Sequence, residues 1–214
     1  MLGVGCWVLG FRRLRVVRYS MRTRALIVCL GLVSIGLIYG AQRNESSRIA
    51  IKRATDSGAT QIPRRAKRIT IEEMLAQVRP EGLAPDISTP EFQEKRVPGF
   101  ETTKWLVDAT ITEVVKRADG DFYCVIEGKS GARTVFEAPD PELCKGSHFL
   151  DEIKKVRKTL DDKFHPTEER AKVNIKVQLT GLGFFGFQGR AQDGSGARTN
   201  GARLMPVLNV KVTE

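Results

Sequence analysis

SHFLDEIKKVRKTLDDKF, at residues 147–164, is the stretch of sequence that decides the fold. Its large apolar residues recur every three or four positions, so on an α-helix they form one stripe. They are Phe149, Ile153, Val156, Leu160 and Phe164. Ser147 is a favourable N-cap residue, and Pro166 lies where the pattern stops. The sequence therefore predicts one amphipathic helix, which lies between segments of β-strand type.

Five segments around this helix have the composition and alternation of β-strands. Three precede the helix and two follow it, at residues 105–115, 122–127, 133–138, 172–180 and 204–213. Five strands cannot bury both faces of a flat sheet, whereas closure into a small barrel removes the exposed edges. The predicted fold is therefore mainly β with one helix, an OB-fold-like five-stranded barrel of order β-β-β-α-β-β over residues 101–214. An open α+β sandwich is the alternative.

The first 40 residues have the composition of a targeting segment. They contain six arginines and no acidic residue, and residues 25–40 form an uncharged, mostly apolar run. This pattern predicts a signal peptide or an uncleaved signal anchor, with Met21 as an alternative start. A mitochondrial presequence is a further alternative. We expect export to the periplasm or the extracellular space, or a tether to the inner membrane, and membrane contact only through this segment.

The chain between this segment and the barrel is predicted to be mostly irregular. Residues 41–69 are polar and basic, which predicts a disordered linker. Thr70 and Glu73 have the spacing of a capping box, which predicts a short helix over residues 70–79. A proline-rich connection then leads to residue 100.

The charge of the chain is concentrated outside the predicted barrel. The net charge is +10, but residues 101–214 contain 18 basic and 17 acidic residues. Nonspecific binding of nucleic acid requires a basic surface, so the composition does not by itself predict that function for the barrel.

A candidate ligand surface lies at the long loop between the last two strands. OB barrels bind ligands across their second and third strands and at the loops joining strands one to two and four to five. Aromatic rings and arginines in such positions can stack on bases and hold phosphates. The candidate binding residues are Tyr123, Phe184, Phe185, Arg190 and Arg198. The alternative is that the phenylalanines fill the end of the barrel. The ligand is unknown, with an anionic polymer as the candidate class, and no cofactor or catalytic residue is predicted.

Four short segments resemble a widespread group of uncharacterised bacterial exported proteins with a single OB-like domain. They are residues 138–144, 181–185, 200–201 and 206–208, and the GLGFF sequence at 181–185 is the most specific. The resemblance implies the fold and export, without an established activity. Members of the group commonly have an acid after this segment and a Glu and a His before the final Pro-Val. Here Gly186, Arg203 and Met205 stand there, so chemistry carried by those positions is not expected.

Residues 119–142 also resemble the first half of the staphylococcal-nuclease barrel. That resemblance implies a calcium-dependent phosphodiesterase with Asp121, Asp140 and Glu142 as the candidate metal residues. Asp121 and Glu142 match the family's positions, whereas Asp140 is displaced by one residue and Pro139 stands in its place. Thr134 stands where that family has an arginine, and its second arginine has no counterpart here. The alternative function is therefore a nuclease-like protein with a degenerate active site. The preferred function is a non-catalytic exported OB-like binding or structural module.

Cys124 and Cys144 leave two possibilities open. Two buried thiols are the default expectation for residues of this kind. Export would also permit a disulfide between them.

Overall fold

The computed structural model describes residues 48–83, 92, 94–186, 188–190 and 198–213, with residues 189, 190, 198 and 199 described by their backbone alone. The predicted signal or anchor segment at residues 1–40 lies outside the described residues. No helix within the described ranges combines the length and apolar composition that a membrane crossing requires.

The described chain is mainly β-structure with one long helix. The strands are β1 (Lys67–Arg68), β2 (Lys104–Lys116), β3 (Phe122–Glu127), β4 (Arg133–Ala138), β5 (Ala171–Phe185), β6 (Gly189–Arg190), β7 (Arg198–Thr199) and β8 (Ala202–Val212). The α-helices are α1 (48–52), α2 (Ile71–Leu75) and α3 (Leu150–Phe164), with 3-10 turns at Ser57–Gln61 and Pro141–Cys144.

The main sheet closes on itself. Hydrogen bonds join β2, β3, β4, β8 and β5 in that order, and β5 also pairs with β2. The β4–β8 pairing is parallel, and the other pairings in the ring are antiparallel. The prediction of a mainly β protein with one main helix and a roughly barrel-like sheet is confirmed. The sheet has six strands rather than five, because β1 pairs with β2 in parallel.

The apolar stripe of the predicted helix is confirmed in α3, which packs against β8. Ile153, Val156 and Leu160 are buried, and burial of each side chain contributes about 1.5–3 kcal/mol. The helix begins at Leu150 rather than at the predicted N-cap, Ser147. The Ser147 hydroxyl instead accepts a hydrogen bond from the Phe149 N–H and donates one to the carbonyl of residue 54.

The sequence predicts a disordered linker over residues 41–69, and from residue 48 onward the structure differs. This segment forms α1, a 3-10 turn and β1. Apolar side chains from the segment are buried, and they are Ile51, Ala54, Ala59, Ile62 and Ile69. Residues 41–47 lie outside the described residues.

Buried ion pairs explain why this polar segment is ordered. Arg96 donates hydrogen bonds to Asp56 at 2.9 and 2.6 Å and to the Ile51 carbonyl at 3.1 Å. Arg48 of α1 pairs with the fully buried Glu101 at 2.5 Å. These contacts join residues 40 to 53 positions apart, so the local composition gives no sign of them. The described residues all lie in one compact unit, Gln42–Glu214.

The predicted capping box of the short helix is confirmed. The Thr70 hydroxyl accepts a hydrogen bond from the Glu73 N–H, and the Glu73 carboxylate accepts one from the Thr70 N–H. The helix, however, ends at Leu75 instead of extending to residue 79.

A residue far along the chain bonds the carbonyls at the end of α2. The side-chain amide of Asn200 donates hydrogen bonds to the carbonyls of Met74 and Gln77, at 3.3 and 2.8 Å. The Met74 carbonyl would bond the Val78 N–H if the helix continued. Val78, which lies within the predicted helix, is 87% exposed. The chain turns here, so the following residue, Arg79, lies against the closed sheet.

Candidate functional site

Phe184 and Phe185 end β5 and are both buried. Phe185 packs in the main core, with its ring 4.8 Å from that of Phe100. Phe184 packs in a separate cluster with Ile51 and Met205. Phe185 therefore fills the core of the closed sheet, whereas Phe184 lies in the separate cluster, and burial leaves neither ring open as a stacking surface.

Arginines do lie over both rings, but they are not the arginines predicted from the sequence. The Arg48 guanidinium lies 5.0 Å from the Phe184 ring centre, and that of Arg79 lies 5.8 Å from the Phe185 ring centre. Cation–π contacts at these distances are stabilising. Both arginines come from the part of the chain that precedes the closed sheet, so the pattern of strands alone could not identify them.

Tyr123 lies in a different part of the sheet from Phe184 and Phe185. It is buried in a cluster with Val115, Val125 and Val135, on neighbouring strands β2, β3 and β4. The Arg117 guanidinium lies 5.0 Å from the centre of its ring. Tyr123 and the two phenylalanines therefore occupy separate clusters.

The predicted loop arginines lie in a small ribbon. Strands β6 and β7 pair within the long loop between β5 and β8, and the register places Arg190 opposite Arg198. The backbone thus brings these two predicted residues together. Their side chains are outside the described part of the molecule.

Arg79 is anchored at the base of this loop. Its Nε donates to the Leu83 carbonyl and its Nη1 to the Gly186 carbonyl, both at 2.6 Å. Burial, together with the nearby charges of Arg48 and Arg203, lowers the pKa of Arg79 to about 10. A cation in these surroundings is poorly solvated and poorly compensated.

Arg203 lies against the same glycine. A Cβ added at Gly186 would lie 2.5 Å from the Arg203 Nε, so the guanidinium occupies the space that a side chain would need. Arg203 Nη1 donates to Glu137 at 2.8 Å. Its Nε is buried without a hydrogen-bond partner in the described part of the chain. Gly186 and Arg203 are therefore in direct contact.

An acidic group surrounds Lys52 of α1. Its Nζ lies 3.6 Å from Asp119, 3.0 Å from Asp121 and 3.2 Å from Glu137. The Asp121 contact is an ion pair without hydrogen-bond alignment. Burial alone would lower the pKa of Lys52, but the three carboxylates outweigh burial and raise it. Burial raises the pKa of Asp121, and Lys52 offsets part of that effect.

The three residues of the alternative metal site have structural partners. Asp121 accepts a hydrogen bond from the Asp140 N–H, and Asp140 accepts one from the Glu142 N–H, each at 2.9 Å. Glu142 is exposed and pairs with Lys145. The buried Thr134 hydroxyl donates to the Ala202 carbonyl. Among residues that the structure describes, no group of three or more His, Cys, Asp or Glu side chains has an arrangement that could hold a metal ion.

Cys124 and Cys144 are free and buried. Burial raises the pKa of both thiols, to about 11 for Cys144. Because the thiolate is the reactive form, we expect neither to react in the folded protein. With Cys6 and Cys29 replaced by serine, a thiol assay at pH 8 should detect no thiol before denaturation and two after it. Rapid labelling of the native protein would contradict this expectation.

Comparisons with protein-family models, with curated proteins and with solved structures find no match to this chain. The choice among functions therefore depends on the geometry described above.

Proposed function

We propose that this protein is an exported, non-catalytic binding module with an OB-type barrel, and that its ligand is an anionic polymer. The order of the strands in the closed sheet supports an OB-type barrel, since β2, β3 and β4 precede α3, β5 and β8 follow it, and β4 and β8 pair in parallel. Export is supported by the arginines and the apolar run within residues 1–40.

The arginines around the loop between β5 and β8 carry the proposal. Arg79 and Arg203 contact Gly186, where the loop begins. Arg190 and Arg198 lie opposite each other in the ribbon that the loop forms. A local concentration of four arginines can attract an anion even though residues 101–214 are nearly neutral overall. These positions support this loop as the ligand surface.

The salt dependence of polyanion binding tests the proposal. We expect the full chain, held in neutral detergent, to bind a fluorescent oligothymidylate with an affinity that falls as salt increases. Each phosphate contact contributes about 0.7 to the slope of log affinity against log salt for a single strand. The Arg190→Ala, Arg198→Ala double variant is therefore expected to lower that slope by roughly 1.4. Fluorescence anisotropy at several salt concentrations measures it.

A matched double variant tests whether the change in slope depends on the loop or only on the removal of two positive charges. Arg64 and Arg65 are exposed, and replacing both with alanine removes the same charge. This control is expected to leave the slope close to that of the unchanged protein. Equal slopes for the two double variants, or no binding by the unchanged protein, would rule out the loop as the polyanion surface.

A further inference from the structure

We propose that Arg79 and Arg203, which meet at Gly186, form a site for one anionic oxygen group, a phosphate or a carboxylate. The site lies at the base of the loop between β5 and β8. The inference rests on the proposed function, because such a group would be one unit of the anionic ligand.

Two guanidinium groups converge on one residue. Arg79 bonds the carbonyl of Gly186, and Arg203 packs against its Cα, where a Cβ would lie 2.5 Å from Nε and 2.8 Å from Nη2. Any side chain at residue 186 would displace Arg203. The absence of a side chain there is therefore what allows the two arginines to share this position.

The charge at this position is incompletely balanced. Arg48 has Glu101 as its partner at 2.5 Å. Arg203 has Glu137, but that carboxylate also lies 3.2 Å from Lys52. Within the described ranges, no carboxylate comes within 4.0 Å of the Arg79 guanidinium. An anion next to Arg79 would supply the missing negative charge.

A hydrogen-bond donor is also left without a partner. Arg203 Nε is buried and donates to no acceptor in the described part of the chain. A buried donor without a partner destabilises the folded state. Guanidinium groups match the oxygens of carboxylates and phosphates, so an anion at this position would satisfy both the donor and the charge.

Titration with simple anions tests this site on the full chain. Inorganic phosphate and sodium acetate are added separately at constant ionic strength, and calorimetry and the arginine Nε–Hε signals in NMR spectra follow binding. We expect saturable binding of at least one anion with a shift of the Arg203 signal. Tighter binding of phosphate would identify a phosphate site, and tighter binding of acetate a carboxylate site.

Three variants locate the site. Arg79→Gln is expected to weaken binding by about tenfold to a hundredfold, as for the loss of a charged hydrogen bond. Arg203→Lys keeps the charge but removes Nε, and a similar loss is expected. Gly186→Ala keeps both arginines, and by displacing Arg203 it should also weaken binding. Thermal melting checks that each variant folds, and the exposed Arg64→Gln serves as the control.

The outcomes separate this inference from the proposed function. No saturable binding of either anion would overturn the site while leaving polyanion binding by the loop to stand. Saturable binding that persists in folded Arg79→Gln and Arg203→Lys would also overturn it, since the anion would then lie elsewhere. Saturable phosphate binding without oligothymidylate binding would support the site and contradict the polymer-binding function.

Discussion

Replacing Glu101 with alanine is expected to lower the free energy of unfolding by about 3–5 kcal/mol. The carboxylate is fully buried and accepts three hydrogen bonds, from Arg48 at 2.5 Å and from the Val97 and Phe185 N–H groups at 2.8 Å. Its removal would leave a buried cation and two backbone donors without a partner. Urea denaturation of the variant and the unchanged protein measures the difference.

Two further variants isolate the reason for this loss. Glu101→Gln keeps an oxygen acceptor but removes the charge, so a smaller loss is expected. Glu142 is 73% exposed and pairs with a neighbouring lysine, so Glu142→Ala should change stability by no more than about 1 kcal/mol. A similar loss for Glu101→Ala and Glu142→Ala would show that the buried carboxylate does not hold α1 and β5 together.

Replacing Gly183 with alanine is expected to cost about 3 kcal/mol or more. A Cβ there would lie 2.3 Å from the Phe100 carbonyl oxygen and 3.0 Å from the Trp105 Nε1. The closest atom belongs to the backbone, so no side-chain rotation can relieve the clash. Denaturation followed by tryptophan fluorescence measures the loss.

Gly128→Ala is the matched control for this substitution. A Cβ at Gly128 would lie 2.8 Å from the end of the flexible Glu72 side chain, which can move, and 3.2 Å from the Ile71 Cβ, where a shift of a few tenths of an ångström is enough. A clearly smaller loss of stability is therefore expected. Equal losses would mean that the close approach at Gly183 is not the reason for glycine in the GLGFF segment.

The elements that the sequence predicted well are those whose pattern is local. The apolar spacing of α3 and the bounds of β3 and β4 follow from side-chain periodicity within a few residues. By contrast, α1 and β1 depend on partners far along the chain, such as Glu101 for Arg48 and Leu106 for Arg68. The composition of residues 41–69 contains no information about partners so far along the chain, so it predicted disorder there.

The sequence predicted which types of residue meet at the candidate site, but not which individual residues contact one another. The sequence indicated phenylalanines beside arginines at the end of β5, and the rings of Phe184 and Phe185 do contact guanidinium groups. Those groups belong to Arg48 and Arg79, because the chain that precedes the closed sheet folds back over it. The fold brings Gly186 and Arg203 into contact although they lie 17 positions apart, so the local pattern gave no sign of this pair.

Strand β1 has a consequence for how copies of this protein meet. It lies at the end of the strand order, and no strand of the described residues pairs with its outer side, which a strand of another molecule could approach. Both of its residues, Lys67 and Arg68, are exposed and positively charged. A second molecule extending the sheet through its own β1 would bring like charges together. We therefore expect this short basic strand to disfavour extension of the sheet between two copies at this edge.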